Sequence, residues 1–433
     1  MNVTKRWFLP CMLLIIFILP ACTSMQVPQI IKATDLGRLN EINQLLGQGV
    51  DVDTATPEGV TPLFIATARG FEKITKRLIE SGANVNAAIQ VTFNYEGETV
   101  YHGCTSLLAA AANRRTNIAK MLISHGADVN AADINGSTPM MAAAAQGDKE
   151  MVKILIKNGA DVNARTVKAY EYAGEPVFKG VTALMGALAM KQNANAALLI
   201  ENGADVNARL ENGSSALMIS ASYGDSRMVK FLLSKGADTE ASLKEDFMVK
   251  GKPAYEGGTA LMAAADIGDA ESVVALIVAG ADVNAVTKNG ATALMAATAK
   301  GHLAVTKVLV ASGADVNART TEAFTIGKDP VPKGTAVMSG AAYNGHYKIV
   351  QLLIDNGANV NSQDDDVAID ALFLAAEKGH IKVVKILIDN GADVYAETKM
   401  GTAHGVALHF GHPYVAKCIN DARKRLKKEQ VEE

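Results

Sequence analysis

The pentapeptide Gly-Ala-Asp-Val-Asn, with small variations, returns ten times along this chain of 433 residues. Its glycines are Gly49, Gly82, Gly126, Gly159, Gly203, Gly236, Gly280, Gly313, Gly357 and Gly391. They are spaced by 33 and 44 residues in alternation, with a last step of 34. A fixed period of this size argues against two to four ordinary domains and for an array of small units, each stacked on the next. With 49% hydrophobic residues the chain is not a disordered one. Only 5% are aromatic, so Ala, Leu, Ile, Val and Met must fill the core. The 42 basic and 45 acidic side chains leave a net charge of −3. That lacks the cationic surplus a nucleic-acid binder needs, and no nucleic-acid partner is expected.

Each unit has a local logic, which Gly136–Gly147 illustrates. The Thr138 hydroxyl suits a helix N-cap, and Pro139 suits the first helical position, where no amide hydrogen is needed. The alanines that follow favour a slim helix that neighbours approach closely. Gly147 supplies a left-handed C-cap. A second helix over Lys149–Asn158 places Met151, Val152, Ile154 and Leu155 on one face, and Gly159 closes it. No unit buries its apolar face alone, so the units must stack.

The 33-residue period and the Thr-Pro-Leu-like start of each unit resemble the ankyrin repeat over roughly residues 28–425. The resemblance implies an all-α repeat solenoid of about eleven ankyrin repeats, each a helix-turn-helix followed by a β-hairpin loop. Residues 28–56 would form the N-terminal cap, 401–425 the C-terminal cap, and 426–433 a charged tail. Ankyrin proteins commonly bind other proteins through their hairpin tips and concave face, so the resemblance implies a non-enzymatic binding module.

The first segment reads as an address. Residues 1–21 carry Lys5 and Arg6, then an apolar run from Trp7 to Leu19 interrupted only by Pro10. That is the build of a secretory signal peptide, short for a transmembrane helix. The run ends in Leu19-Pro20-Ala21-Cys22, which resembles the lipobox of bacterial lipoproteins, with Pro20 the less usual residue. The resemblance implies lipidation at Cys22, with residues 22–27 as a short anchor linker. The alternative is a generic signal peptide with a coincidental Cys22. Thr23, rather than Asp, after the cysteine favours the outer membrane in that family. The expectation is an exported protein, lipid-anchored to the outer membrane with its solenoid facing the periplasm. Losing Lys5 and Arg6 takes the net charge from −3 to −5. Of four cysteines only Cys104 and Cys418 then remain besides the lipid site. They stand 314 residues apart, and no disulfide is expected.

Several chemically suggestive residues fall at fixed repeat positions. Met141, Met185, Met218, Met262, Met295 and Met338 share one position and read as adaptable core filler rather than a soft-metal stripe. His302, His346 and His380 each follow Gly at the turn between the two helices and read as structural. His404, His409 and His412 cluster in the last unit. With no carboxylate or thiolate set beside them, they read as a divergent cap rather than a metal site. The acidic run Asp364–Asp366 has no calcium-loop pattern. No nucleophile elbow, zinc-protease motif or phosphate loop is present, so neither an enzyme nor a cofactor is expected.

The long hairpins are the unusual part. Every second one is extended by 11 residues, over about 87–104, 164–181, 241–258 and 318–334. Phe93, Tyr170, Phe247 and Phe324 share one phase, and Tyr101, Phe178, Tyr255 and Pro332 lie eight residues further on. Gly and Pro at the tips predict β-hairpin fingers. If each turn centres four residues after the first aromatic, that aromatic faces the one eight later across the strands. Tyr95 and Tyr172 would share that face. These side chains either hold the fingers together and lean one on another, or present a ladder of contacts to a partner, and the two roles are compatible. Phe93, Tyr95, Tyr101, Tyr170, Tyr172, Phe178, Phe247, Tyr255 and Phe324 are therefore the candidate partner-binding residues.

The function expected from the sequence is a monomeric, lipid-anchored scaffold that binds another protein through its concave face and four aromatic fingers. An inhibitor or protective partner of an envelope enzyme, and a purely structural envelope spacer, are the alternatives.

Overall fold

The computed structural model describes residues 27–432, apart from the pairs 96–97, 173–174, 250–251 and 327–328 and residue 366. The signal peptide, Cys22, the linker up to residue 26 and Asp366 lie outside the described residues, as do the side chains of Tyr95 and Tyr172. The chain is an all-α repeat solenoid in class. Among the described residues, twenty-two helices follow in eleven consecutive pairs, from Gln29–Asp35 with Leu39–Gly47 to Ala403–His409 with Pro413–Glu432. They fall into two compact units, one ending at Glu211 and one beginning at Asn212.

The first helix of a pair is set by its caps. In Pro139–Gln146 the Thr138 hydroxyl accepts the Met141 amide at 3.3 Å, and Gly147 ends the helix at φ 77°. Thr61, Thr105, Thr182, Ser215, Thr259, Thr292 and Thr402 cap their helices in the same way. Each such cap is worth about 1 kcal/mol. The second helices bury one stripe only. In Lys149–Lys157 this is Met151, Val152 and Leu155, and the Asp148 carboxylate caps the start.

Successive pentapeptides are joined side chain to backbone. The Asn130 amide donates to the Gly159 carbonyl at 3.2 Å and accepts the Asp161 amide hydrogen at 2.8 Å. Asn86 makes the same two contacts with Gly126 and Asp128, and Asn163 with Gly203 and Asp205. In the second unit Asn284, Asn317 and Asn361 continue the pattern. Meanwhile the pentapeptide's own Asp turns back, as when Asp161 accepts the Asn163 amide. One amide side chain thus satisfies a donor and an acceptor of the next repeat, which accounts for Asn at this position. Asp53, Glu240 and Tyr395 stand where the other pentapeptides have Asn; Glu240 accepts the Asp282 amide at 3.1 Å but carries no hydrogen to donate.

The turn histidines hold repeats together. His302 and His380 reach back to the carbonyls of Asp266 and Tyr343 at 3.0 and 2.9 Å. Their rings lie against Gly268 and Gly345, where a Cβ would come within 2.6 Å. His346 and His412 cover Gly301 and Gly379 likewise, so His412 of the last unit serves the turn. The charged tail from residue 426 continues the last helix, Pro413–Glu432.

The methionine position departs from a uniform core. Met141, Met185, Met218 and Met338 are buried, whereas Met262 and Met295 are only half-buried.

Candidate functional site

The fingers grow out of the ladder that precedes each first helix. In the first, Ala88 lies opposite Thr105, and the Ile89 amide donates to the Cys104 carbonyl at 3.0 Å. Strands Phe93–Tyr95 and Glu98–Val100 continue that register. The other fingers are formed by Tyr170–Tyr172 with Glu175–Val177, Phe247–Val249 with Lys252–Ala254, and Phe324–Ile326 with Asp329–Val331.

The expected aromatic pairs across each finger are not formed. Phe93 lies opposite Val100, Tyr170 opposite Val177, Phe247 opposite Ala254 and Phe324 opposite Val331. The register is fixed at the base, where Ala88 opposes the N-capping Thr105, and it runs to the tip without an extra residue. A slip of one residue reverses a side chain's face, so the second aromatic points away from the first.

That reversal lets one finger grip the next. Tyr101 meets Tyr170 edge to face, with ring centres 5.5 Å apart, and only 9% of Tyr101 is exposed. In the second unit Tyr255 meets Phe324 at 5.2 Å, and its hydroxyl donates to the Thr325 carbonyl at 2.6 Å. Burial, then the nearby Asp246 carboxylate, push the Tyr255 phenol above its ordinary pKa. Edge-to-face pairs of this kind add about 1 kcal/mol beyond area burial. The remaining candidates Phe93, Phe178 and Phe247 are half-buried on their fingers, and Tyr95 and Tyr172 occupy strand positions.

Beneath the first finger, Val100, Tyr101 and Cys104 close over Leu108, Ala109 and Ala112, leaving a void of about 10 Å³. That admits one water at most. Burial, then Asp133, raise the Cys104 thiol far above its usual range, so it is packing rather than a nucleophile. Salt bridges on this side are exposed and weak: Lys288 pairs with Glu256 at 3.3 Å, and Lys300 with Asp266 at 3.9 Å. The hydrogen bond to Glu256, then the charges of Glu256, Asp246 and Glu322, raise the Lys288 ammonium. Among the described residues no group of three His, Cys, Asp or Glu is placed to hold a metal, and no helix is long and apolar enough to cross a membrane.

The second half of each finger therefore matters more than its alternating pattern suggested. Among the differences between the fingers, those at the base mark it: Val100 and Val177 against Ala254, and Cys104 against Gly258.

A family profile described as ankyrin repeats (three copies) matches residues 30–133, 90–166, 168–243, 241–320 and 326–425. No curated protein matches the chain. Ankyrin repeats are generally protein–protein interaction modules, and proteins built of them are typically non-enzymatic scaffolds. With matched segments spanning almost every helix pair, the chain belongs to the ankyrin repeat family.

Proposed function

We propose that this protein is a non-enzymatic binding scaffold in the envelope of a Gram-negative bacterium, held to the outer membrane by a lipid on Cys22. Its partner is another protein, taken up by the face of the first helices and the four long fingers. The observation that carries this reading is the clasping of fingers in pairs, Tyr101 on Tyr170 and Tyr255 on Phe324. Hairpins of two short strands are marginal alone. Clasped fingers are ordered before any partner arrives, so association incurs less ordering entropy. The lipobox-like Leu19–Cys22 supports the anchor, and stable anchoring takes more than one acyl chain.

Affinity capture from detergent-solubilised envelopes tests the reading. Replacing Phe93, Tyr170, Phe247 and Tyr255 together by Ala should abolish capture of a partner that the wild-type chain retains. Undiminished capture by a folded variant refutes the finger surface. Cys22→Ser should move the protein from the membrane to the soluble fraction, and continued membrane retention removes the anchor from the proposal.

A further inference from the structure

The two units treat the face of their first helices differently. In the first unit Leu108, Ala109 and Ala112 are covered, and so are Met141, Ala142 and Ala145 of the next first helix, all at 4% exposure or less. The cover over the first of these helices is the chain's own Val100 and Tyr101. In the second unit the equivalent residues of helix Ala260–Ile267 are Met262, Ala263 and Asp266, and all three are half-buried. On the adjacent helix Ala293–Lys300, Met295, Ala296 and Ala299 are half-buried as well. The two helices pack against each other, and their N-caps Thr259 and Thr292 place these six residues in the same register. They form one strip, with Ile267 46% exposed at its end.

The cause lies in the third finger. Ala254 replaces the valine of the first two fingers, Gly258 replaces Cys104, and Asp266 replaces Ala112. Each change removes apolar bulk or introduces a charge where the first unit closes. The third finger is tied sideways to the fourth through Tyr255 and Phe324, as the first is to the second through Tyr101 and Tyr170, so the sideways contact is kept while bulk beneath it is lost.

We propose that this strip is the principal docking site and that its occupant is an extended segment of a partner protein. That segment presents a β-branched residue with basic residues beside it. The proposal rests on the protein-binding reading above and narrows it. The first part of the chemistry is read from the first unit, where Val100 helps cover the equivalent surface; Ala254 stands in its place in the third finger, while Tyr255 keeps the place of Tyr101. The second comes from charge: Asp266 in the strip is paired with Lys300, but at the finger bases three carboxylates, Asp246, Glu256 and Glu322, lie close around the one ammonium of Lys288 and leave an acidic excess. An acidic segment would meet repulsion there, and a basic one attraction.

A dye-labelled hexapeptide, Lys-Thr-Val-Thr-Lys-Lys, titrated with the intact chain supplies the test. It should bind at least about ten-fold more tightly than the same peptide with Glu in place of each Lys. Ala296→Arg, which fills the strip and adds a repelling charge, should weaken binding at least about ten-fold while helicity is unchanged. A second measurement needs no substitution. Met262 and Met295 should be oxidised by peroxide well before Met141 and Met185, and saturating peptide should protect them. Absent binding, equal binding of the acidic peptide, undiminished binding to Ala296→Arg, or no protection of the two methionines overturns the proposal. Photo-crosslinkers at positions 93, 247 and 296 in whole envelopes separate the two levels. Adducts from 93 or 247 but not 296 leave the protein-binding reading standing without the strip, and none from any position removes both.

Discussion

Single residues carry much of the fold because each is repeated. Thr138 satisfies one helix amide, and Thr138→Ala should destabilise the first unit by about 1 kcal/mol in urea titrations. Gly345 is constrained twice, by a φ of 75° and by the His380 ring 2.6 Å from where a Cβ would stand. Gly345→Ala should therefore cost more than the left-handed backbone alone, which is about 1–2 kcal/mol, with the excess recovered in the double variant Gly345→Ala/His380→Ala. Tyr223 gives a pH signature. Burial raises its phenol to about 12 from the ordinary value of 10. The neutral phenol is favoured in the folded chain, so its contribution is intact below pH 10 and lost as pH rises toward about 12. The loss is at most roughly 2–3 kcal/mol, and tyrosinate absorbance should show a late-titrating phenol that disappears in Tyr223→Phe.

Elements differ in how far the sequence discloses them. Helix ends were legible because Thr, Pro and Gly each act locally, within one turn, as Thr138, Pro139 and Gly147 do. Finger existence was legible from the 11-residue excess, but finger register was not. Phe93 and Tyr101 are equally compatible with a turn centred on one residue or between two, and only the anchoring of Ala88 against Thr105 decides it. The asparagine contacts were hidden for another reason: Asn also suits turns, so its abundance had a sufficient local explanation. The link from Glu240 to Asp282 is the test of their worth. Glu240→Asn supplies the missing donor and should stabilise the second unit by about 0.5–1 kcal/mol, read as a raised urea midpoint at unchanged slope. Tyr255→Phe keeps the ring on Phe324 but drops the bond to the Thr325 carbonyl, and should speed amide exchange in the fourth finger more than in the first.

Within each unit the described helix pairs pack on their neighbours, as in a stacked array of repeats. Unfolding of the chain should therefore depart from two-state behaviour, with the calorimetric enthalpy exceeding the van't Hoff value. The open strip was not visible in the sequence at this scale, since Met262 and Met295 look identical to Met141 and Met185 until the finger above them is compared. The asparagine link has a further consequence for inheritance. Each repeat that carries this asparagine meets the same glycine carbonyl and the same aspartate amide in its successor, so such a repeat does not identify which neighbour it meets. Excising residues 126–202, a 77-residue period, would bring Asn86 to Gly203 and Asp205 in place of Gly126 and Asp128, with the chemistry of the joint unchanged. Unequal exchange within the gene could then shorten or lengthen the protein by whole periods without breaking a joint, and its length becomes a quantity that selection is free to adjust.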